Sequence, residues 1–167
     1  TDIYGNASLA VSSGWIFTTS AGPTVSSLTP AHNSTGISAA TTLAIQFNTP
    51  VTAVTGKNVL LYDKSNLTTP VATLASTAGV IAGNTVTYTL ASKLNRQTVY
   101  VVSVDAGAFI DAASNDFAGL ATTAWEFTTD PGPSITTFLP ANNATNVDIN
   151  ASIEITFNKA VTAVAGK

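Results

Sequence analysis

The sequence predicts an all-β fold: a Greek-key β-sandwich of about seven strands, set in tandem repeats of 110 residues. Three observations predict it. The segment Trp15–Lys57 is written a second time as Trp125–Lys167, at an offset of 110 residues, a domain-sized period rather than a solenoid-sized one. Between the copies run short β-branched and aromatic stretches, separated by clusters of Gly, Pro and Asn. No stretch of ten or more residues shows apolar spacing at three and four, so helix is expected to be minor.

The safest strand is Thr42-Leu43-Ala44-Ile45-Gln46-Phe47, where Leu43, Ile45 and Phe47 share one face. Its copy, Ser152-Ile153-Glu154-Ile155-Thr156-Phe157, keeps the phase and puts Glu154 and Thr156 on the other face. Further strands are expected at 24–28, 58–62, 71–74, 85–90, 98–104 and 124–129, each a short apolar run bounded by turn residues. The spacing of Leu94 and Tyr100 resembles the tyrosine corner of Greek-key sandwiches; the alternative is that Tyr100 is only a half-buried strand aromatic.

The repeats divide where Phe-Thr-Thr gives way to Gly-Pro, at Ser20-Ala21-Gly22-Pro23 and Asp130-Pro131-Gly132-Pro133. Residues 1–20 then read as the C-terminal strand of a preceding repeat, 21–130 as one complete sandwich, and 131–167 as the N-terminal strands of a following one. Proline fixes φ, and so short a connector limits bending, so the expected particle is a semi-rigid rod. The flanks hold too few residues to complete each other, which leads to the expectation that the parent chain continues on both sides.

Composition narrows the function. Hydrophobic residues make up 45% of the chain and charged residues only 9%, against about 25% in an average domain, so Thr, Ser and Asn must solvate the surface. Such a surface suits an extracellular or cell-surface array. Net charge is −3, and the six Lys and Arg residues form no stripe along the chain, which argues against a nucleic-acid partner. Apolar runs are too short to span a bilayer, so membrane insertion is not expected. With no cysteine, disulfides and thiolate chemistry are excluded.

Several motifs together carry a resemblance. They are Pro-Ala-x-Asn-x-Thr-x-Ile/Val at Pro30–Ile37 and Pro140–Val147, Phe-Asn at Phe47-Asn48 and Phe157-Asn158, and Leu…Thr-x-Tyr at Leu94, Thr98 and Tyr100, with an Asp-x-x-Ser/Gly-Asn turn before Phe-Thr-Thr. In these the chain resembles the bacterial immunoglobulin-like repeat of the SbsA S-layer type, across the complete repeat and both flanks. The resemblance implies an Ig-like sandwich in S-layer proteins, adhesins or spacers of exported enzymes. It brings no catalytic residue. The family's Asp-x-x-Gly-Asn turn stands as Asp2-Ile3-Tyr4-Gly5-Asn6 in the first copy, but as Asp111-Ala112-Ala113-Ser114-Asn115 in the complete repeat.

Few residues are candidates for chemistry. His32 is the only histidine and has Asn142 as its counterpart; beside no nucleophile or carboxylate pattern it reads as a loop residue, and no enzyme is expected. Asp105, Asp111, Asn115 and Asp116 crowd one loop with oxygen ligands that suit calcium, although the same residues are the ordinary chemistry of turns. No other cofactor is implied. Of five Asn-x-Ser/Thr sequons, at Asn6, Asn33, Asn66, Asn143 and Asn150, Asn33 and Asn143 occupy equivalent places and are the glycosylation candidates. Trp125 could stack on a sugar ring or pack in the core, and Tyr62 and Tyr88 are further candidate surface aromatics. The expected partners are neighbouring repeats of the same chain and other copies in a sheet or filament, with a glycan or host protein as the adhesive alternative.

Overall fold

The computed structural model describes residues 3–5 and 16–166. Trp15, the turn residues Asp2 and Asn6, and Lys167 lie outside them. The strands are β1 (Val25–Thr29), β2 (Ser34–Ile37), β3 (Thr42–Phe47), β4 (Thr52–Ala53), β5 (Asn58–Asp63), β6 (Ala72–Ala75), β7 (Val80–Ala82), β8 (Thr85–Thr89), β9 (Val99–Val104), β10 (Phe109–Ile110), β11 (Glu126–Thr129), β12 (Ile135–Leu139) and β13 (Glu154–Phe157). The one helical element described is a 3-10 turn at Ser76–Ala78.

Two sheets face each other, one ordered β1-β3-β8-β7 and the other β2-β11-β9-β5-β6. All seven strands read for the complete repeat, and the copy of the safest one at β13, are present, with ends moved by at most two residues. The four short ones, β2, β4, β7 and β10, were not anticipated. In β2 the sequence is Ser-Thr-Gly-Ile, which lacks apolar alternation, and it pairs parallel to β11 across an irregular register.

Alternation along the strands builds the core. Leu43, Ile45 and Phe47 of β3 are fully buried, as the phase of the two copies required. They meet Val59 and Leu61 of β5, Tyr100, Val102 and Val104 of β9 and Phe127 of β11. Phe47 anchors one end, 5.1 Å from Phe117 edge-on and 5.2 Å from Phe109 in a tilted pair. Truncating such a ring to Ala costs about 3–5 kcal/mol.

Polar groups that enter the core find partners. Tyr88 is buried, and its hydroxyl donates to the Ser76 carbonyl at 2.8 Å. The reading of Tyr88 as a surface aromatic is therefore corrected: it sits on the inward phase of β8, and burial pushes its phenol up to about 12. Tyr62 is half-buried. Tyr100 is a tyrosine corner, since its hydroxyl accepts the Asn95 backbone N–H at 2.9 Å. No buried side-chain nitrogen or oxygen among the described residues lacks a partner.

The second copy rebuilds the opening of the first. β1 pairs with β3 from Val25↔Phe47, with a bulge before Ser27, and β12 pairs with β13 from Ile135↔Phe157, with a bulge before Thr137. The Phe-Asn motif has a physical role in both. Asn48 Oδ1 accepts the Thr24 amide at 2.8 Å, and Asn158 Oδ1 accepts the Ser134 amide at 2.9 Å, so each Asn fixes where the chain enters its repeat. Because 131–167 carries only β12 and β13, residues equivalent to core positions are open: Ile153 is 84% exposed, its counterpart Leu43 0%.

Candidate functional site at the linker junctions

Of the residues singled out in the sequence, Asp105, Asp111, Asn115 and Asp116 lie at one end of the complete repeat, where the incoming linker attaches, and the outgoing linker leaves from the other. β11 runs antiparallel to β9, with Thr128 opposite Val99. Asp130 therefore emerges at the Val99 end of β9, and Asp105 follows Val104 at the other.

At the Val104 end the loop 111–117 receives the incoming linker. Asp111 Oδ1 accepts the backbone N–H groups of Ala113 and Asn115, each at 2.9 Å, and its Oδ2 accepts the Asn115 side-chain amide at 2.9 Å. These bonds hold the Asp111 carboxyl below the usual range, the Asn115 side-chain amide contributing most. The same amide donates to Ser20 Oγ at 2.9 Å, so the turn grips the linker. Gly22 lies against the loop so closely that a Cβ there would stand 2.1 Å from the Asp116 carbonyl oxygen. Ser114 takes φ +63°, the left-handed place that Gly5 fills at φ +82° in the preceding copy of the turn.

Asp105 is engaged elsewhere. Its Oδ2 accepts the Asn58 backbone N–H at 2.8 Å, which ties the loop after β9 to the start of the paired strand β5. Of the four proposed calcium ligands, Asp105, Asp111, Asn115 and Asp116, the Asp105 and Asp111 carboxylates accept loop and turn hydrogen bonds and the Asn115 side-chain amide donates to Asp111 and Ser20. Among the described residues, no group of three or more acidic or histidine side chains is placed to hold a metal.

At the Val99 end the outgoing linker is locked. The Asp130 amide donates to the Ile37 carbonyl at 2.8 Å, and its carboxylate takes the Gly132 amide and both contacts of Lys159 Nζ, at 2.9 and 2.8 Å. Lys159 belongs to the following repeat, so this ion pair crosses the linker. The Lys159 contact, then the Gly132 amide, hold the Asp130 carboxyl below the usual range. Arg96 lies over Gly132, whose φ is +84° and where a Cβ would stand 2.6 Å from Nη1. The counterparts of Asp130 and Lys159 at the incoming linker are Ser20 and Thr49, so the two junctions are built differently.

Trp125 is fully buried, and its Nε1 donates to the Pro30 carbonyl at 2.8 Å. The sugar-stacking reading of Trp125 is corrected by this, because neither ring face reaches solvent. His32 is exposed, and its Nδ1 accepts the Glu126 amide at 3.1 Å. Asn33 and Asn143 are exposed at φ +63° and +62°, in the loop after the cis peptides Thr29-Pro30 and Leu139-Pro140. The sequon at Asn6 is outside the described residues. Sequence reading missed Lys159 and Arg96 as junction residues. The signal was available for Lys159, since Thr49 and Lys159 differ where the surrounding motif is shared.

No described helix is long and apolar enough to cross a membrane. The sequence profile of the family described as Bacterial Ig-like domain matches residues 20–129 and, a second time, residues 130–167. No curated protein matches the chain.

Proposed function

The chain belongs to the bacterial Ig-like domain family, and from that premise we propose that it is a structural, non-catalytic spacer of a bacterial surface or extracellular protein. Residues 21–130 are the complete module, between the end of one repeat and the start of another. Its partners are neighbouring repeats of the same chain and other copies in an S-layer, fibre or adhesin stalk. The observation that carries this reading is the outgoing junction. A connector whose amide, carboxylate and glycine are each held by flanking elements transmits orientation from one repeat to the next, which a free linker does not. The low charge supports it as well, since modules tethered in a row need little repulsion to stay dispersed.

Small-angle X-ray scattering of the whole chain tests the spacer. One elongated conformation should fit the profile at both low and moderate salt. A profile that only a broad spread of inter-repeat angles can fit would remove the mechanical basis of the reading.

A further inference from the structure

Half of the chain's basic residues converge on one cleft. Of the six, Lys93, Arg96 and Lys159 line a cavity of about 460 Å³ at the outgoing junction, together with one carboxylate, Asp130. Lys64 is paired with Glu126 at 2.7 Å elsewhere on the surface. The chain is acidic overall, at −3, so a pocket where three cations face a single anion stands out against its own field. The cations come from separate parts of the sequence: Lys93 and Arg96 from the loop before β9, Lys159 from the repeat beyond the linker.

The wall is shaped for more than a bare ion. Gly36 leaves one part of the lining without a side chain, Leu94 adds apolar surface, and a volume of about 460 Å³ lies in the range of small-molecule sites. Asp130 holds Lys159 through two contacts and also acts on Arg96, so one carboxylate stands against three cations and Lys93 and Arg96 supply the remaining attraction. Arg96 brings a planar fork suited to an oxyanion, and Lys93 is exposed and adds a point charge.

The geometry points to a binding site for an acidic sugar: a saccharide unit whose carboxylate or phosphate sits between Arg96 and Lys93 and whose ring rests by Leu94 and Gly36. The site goes beyond the spacer reading and stands or falls apart from it. It exists only at a junction that carries Asp130 and Lys159, because the incoming linker has Ser20 and Thr49 there. A ligand so placed contacts both repeats and adds to the lock between them.

The test is amide chemical-shift perturbation on the whole chain at low ionic strength, where exposed charges are least screened. Glucuronate and glucose 6-phosphate are titrated separately against glucose and against sodium chloride at matched ionic strength. Saturable shifts at Gly36, Lys93 and Arg96 with either charged sugar, absent with glucose and salt, are expected; which one binds assigns the oxyanion as carboxylate or phosphate. Arg96→Gln with Lys93→Gln should weaken binding about tenfold or more. If that pair disturbs the native spectrum, Lys93→Gln alone serves, with a smaller loss. Equal shifts from glucose or sodium chloride, no localised shift up to about 20 mM ligand, or an undiminished response in the variants would overturn the site.

Discussion

The Tyr100 hydroxyl accepts the Asn95 backbone N–H at 2.9 Å, and the same turn is held from its other side by Thr129 Oγ1, which donates to the Asn95 carbonyl at 2.7 Å. Tyr100 is buried and stacks on Phe127 at 6.0 Å. Tyr100→Phe keeps the ring and strands the amide, so it should lower stability by about 1–2 kcal/mol. Urea denaturation of the whole chain measures this; an unchanged midpoint would show that the corner hydroxyl is dispensable.

Ser114 holds a left-handed conformation that glycine adopts freely, and its side chain is exposed. Ser114→Gly should therefore raise stability by about 0.5–1 kcal/mol, the relief of left-handed strain outweighing the added freedom of the unfolded chain. A thermal melt of the variant beside the parent checks it. A lower midpoint would mean that the turn depends on the serine itself.

Gly22 is required for a different reason, close approach. The Cβ of Gly22→Ala would stand 2.1 Å from the Asp116 carbonyl, so linker and loop must part. The expected loss is about 1–3 kcal/mol, with faster exchange of the Asn115 side-chain amide as its bond to Ser20 opens. Parent-like exchange there would show that the linker is not seated on this loop.

How far the sequence carried the fold depends on where duplication and periodicity agree. Leu43, Ile45 and Phe47 could be assigned inward because Ile153, Ile155 and Phe157 repeat their phase, and all three are buried. β2 was illegible because Ser34-Thr35-Gly36 has no apolar alternation and pairs only through long-range contact with β11. The linkers were read from their Gly-Pro steps, yet their locking was not, since Lys159 and Arg96 meet Gly132 and Asp130 only after folding. Trp125 looked the same from sequence whether stacking platform or core. Burial decided between them.

Acid should loosen the module. The carboxyls of Asp63, Asp111 and Asp130 are held below the ordinary 3.8, by the Ser65 hydroxyl, the Asn115 amide and Lys159 respectively. A lowered native pKa means the unfolded chain binds more protons in this range. The stabilisation is thus complete above the ordinary carboxyl value and disappears as pH falls through the lowered ones. Urea midpoints followed from about pH 5 to pH 2 should decline, with a shallower slope in Asp111→Asn. A flat profile would contradict the turn contacts assigned to these carboxylates.

If Asp130 and Lys159 fix the orientation of one repeat on the next, a distance measured across the outgoing junction takes a single value. The chain has no cysteine, so spin labels at Thr69→Cys and Asn142→Cys, both exposed and one on each repeat, report a single inter-repeat distance by pulsed electron resonance. A narrow distribution in the parent that broadens with Lys159→Thr, the residue found at the incoming junction, is the expected result. A distribution equally broad in both would contradict the lock.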